Sequence, residues 1–342
     1  MTAPLRDILL KLCRREDLTR DEARQAFAHV MSGEATDAQI GGLLVGLAAK
    51  GTTVEELVGA ATVMREKALA IDCDASAGVI IDTCGTGGDV RGTFNISTAA
   101  AIIVAAAGVR VVKHGNRSAS SKSGSADVLE TLGVKLDLTP GQLKKCLESA
   151  GICFAFARYH HPAMKFVAGA RSSLGIPTIF NVLGPLTNPA RAKHQLLGVF
   201  SAELTDRLAA VLQHLGSQRA WVVNAHDGLD ELSTIGPTRV SELRDGHIST
   251  WTLDPATLGI PYARLSELQV SSVEEAADKL VKVMQGATGA TRDIALLNAA
   301  AGLVIAGKCQ ELSEGLELAS HAIDSGKAQK TLETLVRASQ QG

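Results

Sequence analysis

Aromatic side chains are scarce in this chain of 342 residues: Phe, Trp and Tyr together make up 3%. The core must therefore come from Ala, Val, Leu and Ile, a composition that suits helices packed closely on a parallel sheet. Paired cysteines are missing as well. Cys13, Cys73, Cys84, Cys146, Cys153 and Cys309 lie far apart, none in a C-x-x-C pair, which argues against a zinc site and for reduced thiols in a cytoplasmic protein. Charge of one sign is not in excess: Lys+Arg number 34 against Asp+Glu 36, for a net charge of −2. With no basic stripe or arginine-rich arm, a nucleic-acid partner is not expected. No apolar run is long enough to span a bilayer, so no membrane partner is expected either. The opening MTAPLRDILLKLCRRED lacks the apolar core and small-residue cleavage site of a signal peptide.

What is present is an ordinary globular balance of 46% hydrophobic and 20% charged residues, at a length that suits two domains or one large α/β domain. The first 70 or so residues read as helices. Thr19-Arg-Asp-Glu22 and Thr53-Val-Glu-Glu56 are capping boxes, and DAQIGGLLVGLAAKG between them carries a small-residue face and stops at a glycine. That face permits close helix approach, either within the chain or across a dimer seam. From about residue 78 the rhythm becomes strand then helix. Val79 to Asp82, Val109 to Lys113, Ile152 to Ala157, Gln195 to Phe200 and Ala220 to Asn224 read as buried strands, with helices over Ser97 to Ala107 and around Ala126 to Leu132. The alternation predicts an α/β fold with a mostly parallel sheet covered by helices, and ligands at the carboxyl ends of its strands.

Four stretches carry chemistry. DTCGTGGDVRGTFNIST (82–98) runs from a strand into glycines, whose bare backbone lets amide groups approach an anion, and then into a helix start that favours negative charge. It matches neither the G-x-G-x-x-G nor the Walker spacing, and Asp89 suits ribose hydroxyls or a metal-bound phosphate better than bare phosphate. VVKHGNRSASSKSGSADVLE (111–130) follows a second strand, with Lys113, Asn116 and Arg117 as donors ahead of five serines. Two such loops on neighbouring strands imply a ligand with separated phosphates, such as a phosphorylated sugar diphosphate. The adjacent Asp230 and Glu231, after the strand AWVVN, are the oxygen ligands a hard divalent cation seeks, with the Ser97 hydroxyl a further donor. In HHPAMKFVAGARSSLGIPTIFNVLGPLTNPA (160–190), the ten-residue spacing of His161 and Arg171 is near three turns, so one helix would turn both to a cleft.

The strings DTCGTGGD, NIST, KHGNRSASSKSGSADVLE, HPAMK, TIFNVLGPLTNPA, QLLGV and DGLDE, in this order along nearly the whole chain, resemble the anthranilate phosphoribosyltransferase family of tryptophan biosynthesis. The resemblance implies a small N-terminal helical domain, residues 1–72, joined to a large α/β domain, residues 73–342, with helices from about 165–190 packing back onto the small one. It implies transfer of phosphoribose from 5-phosphoribosyl 1-diphosphate to the amino group of anthranilate, with Mg²⁺ as cofactor and a homodimer formed through the helical domain. Carried over, the sugar diphosphate would be bound by Gly85, Gly88, Asp89, Thr93, Asn95, Ile96, Ser97, Thr98, Lys113, His114, Gly115, Asn116, Arg117, Ser118, Ala119, Ser120, Ser121 and Ser125. Anthranilate would meet Gly85, Asn116, Arg171, His114 and His161, and Ser97, Asp230 and Glu231 would hold the metal. The alternatives are a pyrimidine-nucleoside phosphorylase of the same fold, which would not require the acidic pair, and a non-catalytic nucleic-acid-binding paralogue, which would have a basic surface and eroded motifs.

Overall fold

A computed structural model describes residues 3–117 and 123–341. Four helices open the chain: α1 (Ala3–Cys13), α2 (Arg20–Met31), α3 (Asp37–Lys50) and α4 (Val54–Lys67). Thr19, Thr36 and Thr53 each close a reciprocal capping box, so α2, α3 and α4 all begin where a side chain satisfies orphan amides. The box at Thr36, completed by Gln39, was legible in the sequence and not predicted. The small-residue face of α3 is used within the chain: a Cβ on Gly46 would come within 2.9 Å of the Leu12 Cβ on α1. Gly41, turned away from that contact, has nothing within 4 Å of a Cβ placed on it.

A seven-stranded sheet follows, in the order β3-β2-β1-β4-β5-β6-β7. Its strands are β1 (Ile80–Gly85), β2 (Arg110–Gly115), β3 (Ile152–Phe156), β4 (His194–Gly198), β5 (Arg219–Ala225), β6 (Thr238–Arg244) and β7 (His247–Leu253). The first five are parallel, and β6 and β7 add an antiparallel hairpin at the edge. That hairpin was not predicted. It closes through Asp245 and Gly246 at φ 51° and 77°, the two positive angles of a type I′ turn.

Helices α5 (Ile96–Ala106), α6 (Ser125–Thr131) and α7 (Pro140–Ala150) cover the sheet together with the C-terminal helices. The scarcity of aromatics is met by alanine: Ala99, Ala100 and Ala101 of α5, and Ala299, Ala300 and Ala301 of the helix Ala290–Ile305, are fully buried where those helices pack. A second apolar cluster joins α1–α4 to Val167 and Ala170 of the helix Lys165–Leu174, and to the face of β4 and β5. The fold is thus a small N-terminal helical domain on a larger α/β domain with a mostly parallel sheet. Among the described residues no helix is long and apolar enough to cross a membrane.

The sheet opens where the strands end. β1 and β2 pair at Ile80–Arg110 and Ile81–Val111. Beyond that point the Asp82 carboxylate accepts the His114 N–H at 3.0 Å, and Asn188 donates to both Asp82 and the Val112 carbonyl at 2.8 Å. Side chains replace the ladder there.

Candidate active site

The glycine loop leaves β1 at Gly85 and bends through Gly87 and Gly88, at φ 65° and 87°, a conformation that residues with a Cβ rarely hold. The Gly87 N–H donates to Asp230 Oδ2 at 2.8 Å, and Thr86 bridges to β4 through the Gly198 carbonyl at 2.9 Å. Two glycines make the berth for Asp230. A Cβ on Gly85 would lie 2.6 Å from Asp230 Oδ2, and one on Gly198 would lie 1.5 Å from the Asp230 carbonyl oxygen. Gly198, in QLLGV, was not singled out from the sequence.

At the start of α5, the Ser97 N–H donates to Glu231 Oε1 at 3.1 Å. The acidic loop is therefore held by two amides, one from the glycine loop and one from the start of α5, with the Asp230 carboxylate against Gly85 at the end of β1. Asp230 is buried, and burial followed by the nearby Asp89 charge pushes its pKa up to about 7. Burial, then Asp230, pushes Glu231 up to about 8. Such shifts mark negative charge that the protein alone does not neutralise. Lys113, 2% exposed, answers it only in part. Its ammonium bonds the Thr83 carbonyl and the Ser97 hydroxyl, burial pulls its pKa down, and Asp82, Cys84, Glu231 and Asp230 oppose that fall.

Other predicted residues divide into those with unspent polar atoms and those already engaged. The Thr98 hydroxyl and Asn95 Oδ1 are buried without a partner among the described residues. Asn95 Nδ2 reaches the Ser123 carbonyl at 3.2 Å, which ties the first loop to the second. Thr93 bridges to Gln269, and Ile96 is buried as the first residue of α5. Gly115 ends β2 against the Ser125 hydroxyl, and that hydroxyl donates to the Asn116 carbonyl at 3.3 Å. Asn116 is exposed, and its Oδ1 accepts the Arg117 N–H at 2.8 Å. The Arg117 guanidinium is committed to Asp127 at 2.6 Å and Glu130 at 2.8 Å. Ser118, Ala119, Ser120 and Ser121 lie outside the described residues.

The single helix expected to carry His161 and Arg171 is broken. His161 sits before it at φ −117°, ψ 66°, because Pro162 disfavours a helical residue ahead of it, and Arg171 lies on the separate helix Lys165–Leu174. Both nonetheless pack on the segment 178–187. Arg171 stacks on Phe180 at 5.2 Å from the ring centroid. The His161 ring lies against the Thr187 backbone and the His114 ring against the Gly184 backbone, and each contact raises the ring's pKa against the fall that burial causes. The two rings lie 5.2 Å apart, and among the described residues neither buried Nε2 has a partner. Burial holds both rings neutral, His161 down to about 4 and His114 well below the usual value. Arg171 is half-buried, burial lowers its pKa, and among the described residues no carboxylate pairs with it. The described residues thus bring together an acidic pair, a glycine loop and the start of α5, and place two neutral imidazoles and the Arg171 guanidinium on the segment 178–187.

Two family domains match the chain: the helical bundle domain of the glycosyl transferase family over residues 6–68, and its a/b domain over residues 77–329. The anthranilate phosphoribosyltransferase of Parvibaculum lavamentivorans is 53% identical over 331 residues, covering 97% of this chain and 96% of that protein. The chain belongs to the anthranilate phosphoribosyltransferase family. It is an enzyme, a phosphoribosyltransferase of the glycosyltransferase class. The crystal structure of the family member from Thermus thermophilus is 40% identical with a TM-score of 0.91, covering 97% of this chain and 99% of that one. The Saccharomyces cerevisiae member, solved in complex with PRPP and Mg, is 28% identical with a TM-score of 0.91, covering 100% and 99%.

Proposed function

We propose that the chain moves the phosphoribosyl group of 5-phosphoribosyl 1-diphosphate onto anthranilate with the residue roles that follow. The observation that carries this reading is the Asp230–Glu231 pair, buried at Asp230 and half-buried at Glu231, raised in pKa and bonded to the Gly87 and Ser97 amides. An all-oxygen set of two carboxylates and the Ser97 hydroxyl fits Mg²⁺, which takes few protein ligands and draws the rest from phosphate and water. Bound Mg²⁺ would neutralise charge on the departing diphosphate.

The protein's own part is binding and aim. Amides of the glycine loop beyond Gly87, with the Thr98 hydroxyl and Lys113, present donors to diphosphate oxygens as charge builds on them. Gly88, Asp89, Thr93, Asn95 and Ile96 line the same loop, and Gly115 to Ser125 carry the second. Arg171 pairs with the anthranilate carboxylate, Gly85 and Asn116 border the ring, and the Nε2 atoms of His114 and His161 accept hydrogen bonds from the amine. The amine is already neutral, so orientation toward ribose C1 replaces a strong base. The C1–O bond to diphosphate breaks, the C1–N bond forms, and the nitrogen releases one proton to solvent. The carboxylates of Asp230 and Glu231 also separate this reading from a nucleoside phosphorylase, which has no diphosphate to neutralise.

The test is the double variant Asp230→Asn/Glu231→Gln. It should fold as the wild type does and lose Mg²⁺-dependent turnover; wild-type rates in it would remove the acidic pair from the mechanism. The two-lobed division at residues 72 and 73 and a cytoplasmic location accompany this reading. A homodimer through the helical domain is supported by exposed Leu10 and Val45 on α1 and α3, beside the open Gly41. Sedimentation at the mass of a single chain would exclude it.

A further inference from the structure

The acidic loop must hold two mutually repelling carboxylates in place, and its support comes partly from underneath. Asn298, on the helix Ala290–Ile305, is fully buried. Its Oδ1 accepts the Leu232 N–H at 3.1 Å, while Nδ2 donates to the Leu232 carbonyl at 2.8 Å and to the Ile294 carbonyl at 2.9 Å. One side chain thereby takes both backbone groups of the residue after Glu231, as a neighbouring strand would. Leu229 and Leu232, on either side of the acidic pair, are themselves buried.

Asparagine is a poor choice for the middle of a buried helix on other grounds. It is a weak helix former, and an unbonded amide there would be costly. Its neighbours Ala295, Leu297, Ala299, Ala300 and Ala301 are all apolar and buried, so packing alone would be served by Leu or Ala. The amide matches the peptide it holds, group for group. We infer that Asn298 is a positioning residue for the reaction, fixing where the Asp230 and Glu231 carboxylates sit without itself touching substrate. This rests on the assignment of those carboxylates to magnesium diphosphate.

The test uses the full chain with magnesium and inorganic diphosphate as the probe, titrated calorimetrically well below each variant's Tm, alongside initial rates with each substrate varied. Asn298→Ala should weaken diphosphate binding about tenfold and raise the KM for phosphoribosyl diphosphate similarly, the loss of one positioning bond pair, with the anthranilate KM within about twofold. Asn298→Asp keeps the acceptor for the Leu232 N–H and nearly the same volume; it should show the same split and serves if the Ala variant does not fold. Arg292→Ala is the control: on the same helix, it loses bonds to Ser320 and Asp324 and touches nothing in the loop, so it should lower Tm and leave both binding values alone. Wild-type diphosphate affinity in folded Asn298→Ala or Asn298→Asp, or equal weakening in Arg292→Ala, would overturn the inference. If Asp230→Asn/Glu231→Gln also keeps its affinity, the assignment of the acidic pair fails instead.

Discussion

Replacing Gly198 by alanine adds one methyl group at the point where the acidic loop crosses the end of β4. The new Cβ would stand 1.5 Å from the Asp230 carbonyl oxygen and 2.5 Å from its carbonyl carbon. Both atoms are backbone, so no rotamer change relieves the contact. Restoring an ordinary separation requires the peptide to move by roughly 2 Å. Asn298 holds Leu232 two residues on, and the Gly87 amide holds the Asp230 carboxylate, so the displacement falls on the acidic pair itself. A shift of about 1 Å in a positioned group costs on the order of 100-fold in rate, and overpacking costs about 1–3 kcal/mol in stability. Gly198→Ala should therefore lose roughly 100-fold or more in kcat/KM for phosphoribosyl diphosphate and lower Tm by several degrees. The assay is initial rate by anthranilate fluorescence, with Tm by calorimetry. Gly141→Ala on α7, where a Cβ meets nothing within 4 Å, is the matched control and should be neutral. A Gly198→Ala enzyme with wild-type KM and kcat would refute the claim that this crossing positions the metal-side carboxylates.

Two further outcomes follow from the acceptor side of the cleft. Arg171→Ala removes a charge-assisted pair worth about 1.5–3 kcal/mol, so the anthranilate KM should rise on the order of tenfold to a hundredfold with little change for phosphoribosyl diphosphate. The reverse split in initial rates would exchange the two subsites. Stability should fall on acidification because His161 titrates at about 4 in the fold, below its unfolded value near 6.5. Its contribution is complete above the unfolded value and is lost as pH drops through the folded one, by up to about 1.4 kcal/mol per pH unit between them. His161→Gln should flatten the Tm profile from pH 7 to pH 4, and a profile identical to wild type would show that the ring is not buried neutral.

The parallel part of the sheet was legible because each strand carries a short apolar stretch buried on both faces, and the motif residues fall at the ends of those stretches. The β6–β7 hairpin escaped notice because β7 is mostly exposed and reads HISTWTL, with no apolar run to announce it; the Asp245-Gly246 turn was the available signal. The helix break at Pro162 was legible too, but spacing alone suggested a continuous helix through His161. Glycines and carboxylates near the substrates stand out in one dimension because they cluster. Asp82, Asn188, Gly198 and Asn298 do not, since each acts on a segment far away in sequence: Asn298 bonds a residue 66 positions earlier, and Asn188 one 106 earlier. Only the folded arrangement brings such supports under the site.

The central claim is tested most directly by following anthranilate fluorescence in the purified protein as phosphoribosyl diphosphate and Mg²⁺ are added singly and together. Fluorescence should fall only when both are present, and should stop falling when a chelator removes the metal. A fall without Mg²⁺, or none with all components at saturating concentration, would contradict a diphosphate held through Asp230 and Glu231.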